Sequence, residues 1–116
     1  MKNIIIYSSA TKEGVNISAH SIFKASSDKK YNHIIGIEGT ITTVAPIDKE
    51  DENINVCYVG GLDAQGKIKD TRTDQQKNAL DKLVKILKSK FPKIKVLEDE
   101  DSKPKPKKVK NRKDEK

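Results

Sequence analysis

The sequence predicts a single small α/β domain: a mixed central β-sheet of about five strands, with one long amphipathic helix and one short helix. The chain has 116 residues, the length of one domain. Residues 53–59 alternate between apolar and polar side chains, as a half-buried strand does. Apolar residues then recur at spacings of three and four from Ala79 to Phe91, as on one face of a helix. Another strand-like segment follows at 94–98, so a strand, a covering helix and a second strand form an α/β layer pair.

The first half of the chain supplies three further strands and the short helix. Residues 3–8 are rich in isoleucine and predict a buried strand. Residues 17–25 predict the short helix. Residues 31–37 and 40–44 predict the two strands of a hairpin, because the Glu-Gly pair between them suits a tight turn.

The long helix is predicted over residues 73–90. Thr73 and Gln76 have the spacing of a capping box, in which the two side chains cap each other's backbone N–H groups. Pro92 bounds the helix, because proline cannot continue the backbone hydrogen-bond ladder. The predicted core consists of nine apolar residues from these elements: Ile4, Ile6, Ile22, Ile34, Val56, Leu80, Leu83, Val84 and Leu87.

Composition limits the classes of function. Charged residues make up 35% of the chain and hydrophobic ones 34%, so the core must be small. Cys57 is the only cysteine, cannot form an internal disulfide and lies in a predicted strand, so we expect it to be a buried apolar residue. The N-terminus has no signal-peptide pattern. No apolar stretch approaches the roughly 20 residues needed to span a bilayer, so no membrane partner is expected.

The last part of the chain has a different composition, which divides it into a domain at residues 1–98 and a Lys/Pro-rich charged tail at residues 99–116. Two Lys-Pro pairs and the near-absence of apolar residues predict that the tail is disordered. It is either a solubilising tail or an arm for an acidic surface or for nucleic acid, without sequence specificity because it has no aromatic residue. The basic residues of this arm are Lys103, Lys105, Lys107, Lys108, Lys110, Arg112 and Lys113.

Several segments carry a resemblance to a known family. Residues 4–12 read Ile-Ile-Ile-Tyr-Ser-Ser-Ala-Thr-Lys, residues 59–67 read Val-Gly-Gly-Leu-Asp-Ala-Gln-Gly-Lys, and residues 31–40 contain Tyr-Asn-His-Ile-Ile and Glu-Gly-Thr. With parts of residues 70–80, these segments resemble the N-acetylmuramoyl-L-alanine amidases, the zinc family that includes phage lysozymes and peptidoglycan recognition proteins. The resemblance covers roughly residues 3–98 and implies that family's fold.

The resemblance also implies that the zinc ligands are missing. Tyr7 stands where the family has a zinc-binding histidine, and a protonated phenol is a poor zinc ligand. Asn32 stands where a histidine is expected beside Tyr31, which matches a tyrosine that active phage enzymes use next to the zinc. His33 comes one residue late, and this step in a strand turns a side chain to the opposite face. The acidic run around Asp99 replaces the family's Gly-His-Arg-Asp. We therefore expect no metal, no cofactor and no catalytic residues.

These observations predict a pseudoenzyme of the amidase family, with three functional alternatives. The first is a structural or protein-interaction module of phage or mobile-element origin, in a virion or in the cytoplasm of a bacterial host, with a protein partner or assembly. The second is a non-catalytic module that binds peptidoglycan fragments, although the shortened loop at 45–52 and the lack of an export signal count against it. The third is an amidase with unusual metal ligands such as Asp99 and Asp101.

Overall fold

The computed structural model describes residues 1–26 and 30–99 of the chain. Its strands are β1 (Asn3–Ser8), β2 (Thr11–Lys12), β3 (His33–Ile35), β4 (Ile41–Thr43), β5 (Asn53–Tyr58), β6 (Gly61–Leu62) and β7 (Lys95–Glu98). Its helices are α1 (Ala19–Ala25) and α2 (Asp74–Lys90). The predicted tail begins at Asp99, and the rest of it, with all of its basic residues, lies outside the described residues.

The predicted mixed five-stranded sheet is confirmed. Its strand order is β4-β3-β5-β1-β7, and only the β3–β4 hairpin is antiparallel. β1 lies between β5 and β7, with Ile4 opposite Ile54 on one side and Val96 on the other. β2 and β6 form a separate two-stranded parallel sheet that the sequence did not predict. Strands of two residues are too short to produce a recognisable alternation.

Helix α2 covers one face of the sheet and builds the larger core. The buried residues of this α2-side core are Ile4, Ile6, Ile35, Ile54, Val56, Tyr58, Ala79, Leu83, Leu87 and Ile94. Seven of the nine predicted core residues are buried, but the prediction was wrong for Leu80 and Val84, which are only partly buried. The buried stripe of α2 runs through Gln76, Ala79 and Leu83 to Leu87, so the other two positions lie on its flank.

The N-terminus of α2 is fixed to the sheet by the predicted capping box, which is confirmed. The Thr73 hydroxyl accepts a hydrogen bond from the Gln76 N–H at 3.0 Å and donates to the Ile37 carbonyl at 2.7 Å. The Gln76 side chain accepts from the Thr73 N–H at 2.9 Å, and its amide donates to the carbonyls of Ile35 and Val59. The helix start is therefore tied to the carboxyl ends of β3 and β5.

The opposite face carries the shorter helix and a smaller core. The buried residues of this α1-side core are Ile22, Tyr31, Ile34, Cys57 and Val59. Cys57 is fully buried, as predicted. Helix α1 begins two residues later than predicted, after Ser18, whose hydroxyl accepts a hydrogen bond from the Ser21 N–H. In the part of the chain that the structure describes, no helix is long and apolar enough to cross a membrane.

Candidate functional site

Two adjacent glycines close the turn after β5 and shape one end of the site. Gly60 and Gly61 have φ angles of +133° and +105°, which side-chain-bearing residues rarely adopt. A Cβ atom on Gly61 would collide with the side chain of Ser8. The Gly61 N–H donates to the Thr71 hydroxyl at 2.7 Å, and the Gly60 N–H donates to the Ser9 hydroxyl at 2.9 Å. The turn thus holds the end of β5 against the segment that follows β1.

A charged and aromatic cluster lies beside this turn. Arg72 donates to both carboxylate oxygens of Asp70, at 2.8 and 2.7 Å, and its guanidinium lies 5.4 Å from the centre of the Tyr58 ring. Burial, followed by the Asp70 charge, raises the pKa of Tyr58 to about 12. The hydrogen bond from Arg72 lowers the pKa of Asp70. Glu98 adds an ion pair to Arg72 at 3.5 Å, so the cluster joins β5, β7 and the turn.

Tyr7, which stands where the resemblance indicates a zinc-binding histidine, packs against Tyr31. The ring centres are 5.4 Å apart with an interplanar angle of 55°, within the range of favourable aromatic pairs. Burial, and after it the Asp99 carboxylate, raises the pKa of the Tyr7 phenol. The Asp99 N–H donates to the Ile6 carbonyl at 2.8 Å, which continues the pairing of β7 with β1. The fold therefore brings Tyr7, Tyr31 and the charge of Asp99 together.

Asn32 stands at the second position where the resemblance indicates a histidine, and its side chain forms hydrogen bonds with the backbone. Its side-chain oxygen accepts a hydrogen bond from the Asn55 N–H at 2.9 Å, and its side-chain amide donates to the Pro46 carbonyl at 3.0 Å. Its own N–H donates to the Asn55 carbonyl at 2.8 Å, and its carbonyl accepts from the Val44 N–H at 2.9 Å. Asn32 is buried and joins β5 to both sides of the β3–β4 hairpin.

His33 lies on the other side of the sheet from Tyr7. Residues two apart in a strand share a face, so His33 lies on the same side as Ile35, in the α2-side core, whereas Tyr7 packs against the α1-side core. The His33 Nδ1 atom is 3.1 Å from the Thr43 hydroxyl, and burial lowers the pKa of the imidazole. This histidine therefore does not share a site with Tyr7.

The described residues do not fit a zinc centre at the positions that the resemblance indicates. Such a centre needs three or four nitrogen, sulfur or oxygen ligands. The chain offers the Tyr7 phenol with its raised pKa, the Asn32 amide already bonded to the backbone, and one carboxylate at Asp99. Within residues 1–26 and 30–99, no group of three His, Cys, Asp or Glu side chains could hold a metal ion. Asp101, the other alternative ligand, lies outside the described residues.

Comparison with solved structures identifies the architecture. The X-ray structure of bumblebee PGRP-SA matches with a TM-score of 0.54 and 19% identity, covering 84% of this chain and 68% of that one. The fold is that of the peptidoglycan recognition proteins. The structure of Apis mellifera PGRP-SA matches with a TM-score of 0.51 and 15% identity, over 83% and 68% of the two chains. No protein-family model matches the sequence, and neither does any curated protein. The predicted fold is confirmed, and the predicted loss of zinc ligands stays a prediction.

A cavity of about 390 Å³ opens beside Asn32, and sequence analysis missed it. Its walls include the aromatic ring of Phe23, the Lys30 side chain and the amides of Asn53 and Asn55. The acidic residues Asp51 and Glu52 also line it, so amides, charged groups and a ring together suit a polar ligand with hydroxyl, carbonyl and amine groups. The residues come from separate segments, and the only local signal was the asparagine at alternate positions of β5.

Proposed function

We propose that this chain is a non-catalytic binding module, which keeps the peptidoglycan-recognition fold and acts as a structural or protein-interaction domain. One observation carries the proposal: the Asn32 side chain bonds to backbone groups of two other segments, at Asn55 and Pro46. An amide held in this way contributes to stability, and its orientation is set by backbone groups. The packing of Tyr7 on Tyr31 supports the same interpretation for the first ligand position.

The proposal includes a source and a partner. The Gly-Gly-Leu-Asp turn at residues 60–63 resembles that of bacterial amidases, which supports a phage or mobile element of such a bacterium as the source, with action in a virion or in the host cytoplasm. The partner is a protein or an assembly. The basic residues between Lys103 and Lys113 would supplement that contact through an acidic surface or nucleic acid.

Metal content and hydrolysis test the proposal together. The full chain, purified without a histidine tag and loaded with excess zinc, is desalted and measured by mass spectrometry for metal, then incubated with purified peptidoglycan. We expect no stoichiometric zinc and no cleavage. About one zinc per chain, with release of the peptide from the glycan, would overturn the proposal and return the protein to the zinc amidases.

A conservative variant tests the structural role of Tyr7. Tyr7→Phe keeps the ring against Tyr31 and removes only the hydroxyl, so we expect a smaller loss of stability than on removal of the ring, and unchanged binding to any protein that co-purifies with the chain. Tyr7→Ala, which removes the ring, should destabilise the domain. If Tyr7→Phe abolished metal binding that the unmodified chain shows, the phenol would be a ligand and the proposal would fail.

A second candidate function is the binding of peptidoglycan fragments without hydrolysis. Two observations favour it: the structural match to proteins named for peptidoglycan recognition, and the amide-lined cavity beside Asn32. Calorimetric titration with a soluble muropeptide tests it. If this candidate is right, Phe23→Ala weakens binding, whereas Ile86→Ala, which truncates an exposed residue on α2, leaves it unchanged. The absence of heat at millimolar muropeptide would exclude it.

A further inference from the structure

The positive charge of the described domain is concentrated in one short stretch. Residues 82–97 contain six lysines and no acidic residue: Lys82, Lys85, Lys88, Lys90, Lys93 and Lys95. We name these six residues the lysine face. Residues 1–98 carry a net charge of +4, so all the residues of the domain outside this stretch have a net charge of −2. The charge is therefore segregated along the chain and not merely high.

The fold exposes this charge on the outside of α2 and of the edge strand β7. All six lysines are exposed, because α2 turns its apolar stripe of Ala79, Leu83 and Leu87 onto the sheet. Among the described residues, none of the six forms a salt bridge, whereas Lys2 and Lys69 elsewhere in the domain do. The lysine face is thus exposed and available to an external anion.

Local stability explains only a part of this arrangement. A helix C-terminus favours cations, because the last carbonyl groups concentrate partial negative charge there. Lys88 and Lys90 lie in the last turn of α2 and are explained in this way. Lys82 and Lys85 lie earlier in the helix, and Lys93 and Lys95 come after it. Asp81 lies four residues before Lys85 and favours it locally, but neither this pair nor the helix C-terminus accounts for Lys82, Lys93 and Lys95.

We infer that the lysine face binds the phosphate backbone of duplex nucleic acid without reading its sequence. With a rise of about 1.5 Å per residue, Lys82 and Lys88 are separated by about 9 Å along α2. A duplex presents one negative charge per about 1.7 Å of its axis, or roughly five over that distance. Lysine binds phosphate as a flexible point charge and needs no fixed geometry.

The composition of the face favours this partner over three others: a protein surface, a lipid surface and a single strand. Protein interfaces are enriched in aromatic residues and arginine and depleted in lysine, and the face has neither of the enriched types exposed. An amphipathic helix binds a lipid surface through a broad apolar face. The Ala79, Leu83 and Leu87 stripe of α2 is buried against the sheet, and the large apolar residues exposed within residues 82–97 are the scattered Ile86, Val96 and Leu97. A duplex is favoured over a single strand, because no exposed ring lies among the lysines for bases to stack on.

The experiment compares two charge-matched variants of the full chain. The first variant reverses the charge at the centre of the lysine face through Lys82→Glu, Lys85→Glu and Lys88→Glu. The control variant changes the net charge by the same amount at exposed residues elsewhere, through Lys12→Glu, Lys24→Glu and Lys67→Glu. The basic tail is present in both variants, so its contribution cancels. Affinity for a fluorescent duplex of about 20 base pairs is measured by anisotropy over a range of salt concentrations.

We expect the lysine-face variant to lose at least about tenfold in affinity for the duplex. The slope of log affinity against log salt concentration should become shallower by about 2.7, because each of the three lost phosphate contacts contributes roughly 0.9. The control variant should change less than the lysine-face variant in both quantities. Equal losses in the two variants, or stronger binding to phosphatidylserine vesicles or polyglutamate than to the duplex, would overturn the inference. Circular dichroism checks folding, and if the glutamate variant unfolds, the matched glutamine variants give the same comparison.

Discussion

The two faces of the central sheet are held together in different ways. On the α2 side, a helix of 17 residues covers a core of ten buried residues, and its N-terminus is bonded to β3 and β5 through Gln76. On the α1 side, a helix of seven residues covers five buried residues, and an amide-lined cavity opens beside Asn32. The α2 side therefore contains twice as many buried core residues as the α1 side, and truncations there should cost more stability. Tyr7 and Asn32, the positions at which the resemblance implies missing zinc ligands, both lie outside the α2-side core.

Truncation of one core residue on each face tests this difference most strongly. Leu83→Ala should lower the free energy of unfolding by about 2–5 kcal/mol, the range for buried leucine-to-alanine changes. Ile22→Ala should cost less, because the short helix α1 can collapse around the cavity or open locally. Urea denaturation measures both. Ile86→Ala, on the same helix as Leu83 but 54% exposed, should stay within about 0.5 kcal/mol of the unmodified chain. An equal loss for Ile22 and Leu83 would remove the difference between the faces.

The buried amide of Gln76 tests how α2 is anchored. Gln76→Ala leaves the Ile35 and Val59 carbonyls without this donor and breaks the capping box, so unfolding should become easier by about 1–3 kcal/mol. Gln76→Glu can still cap the helix but cannot donate to the carbonyls, so it should also destabilise the protein. Thermal melts give both values, and Gln75→Ala is the exposed control. A stable Gln76→Glu variant would show that only the cap matters.

The amide of Asn32 is the matching test on the α1 side. Asn32→Ala removes the acceptor for the Asn55 N–H and the donor to the Pro46 carbonyl, which should cost about 1–2 kcal/mol. Hydrogen exchange should become faster at the hairpin and at the start of β5, with α2 little affected. Asn78→Ala, at an exposed position of α2, controls for the loss of an amide. Faster exchange throughout α2 would mean that the two faces unfold together.

The smallest expected effect is a dependence of stability on pH through His33. Burial lowers the pKa of this imidazole in the folded chain, whereas the unfolded chain has the usual value near 6.5. Below about pH 6.5 the unfolded state therefore binds more protons, and the stability of the folded state should fall as the pH is lowered. Urea denaturation between about pH 7 and about pH 5 measures this slope. His33→Gln should flatten it, whereas His20→Gln, at an exposed position, should not.

Much of the fold was predictable because its signals are local. A capping box joins residues three apart, so the pattern of Thr73 and Gln76 correctly predicted the start of α2. The wrong assignments of Leu80 and Val84 show the limit of such a local signal. A helical pattern shows which residues share a broad face, but the centre of that face depends on the sheet beneath it. Gln76, a polar residue, occupies the buried stripe because two strand ends offer it carbonyl groups.

The candidate site was predictable only in part. The sequence shows that Tyr7 and Asn32 replace histidines of the family that it resembles, but it does not show what these side chains contact. The partners of Asn32 are 23 residues away at Asn55 and 14 away at Pro46. No local pattern links positions so far apart in the chain. The sequence therefore predicted neither the role of this amide nor the cavity beside it.

By itself, the sequence determined the α/β class, the capping box, most of the core and the segregation of charge in residues 82–97, because periodicity, caps and charge runs depend on near neighbours in the chain. Only the tertiary structure decided that Tyr7 packs on Tyr31, that Asn32 joins three segments and that the lysine face lies outward. Those outcomes depend on which distant residues the sheet order brings together. A parallel sheet places residues of remote segments side by side, and the chemistry of the site follows from that placement.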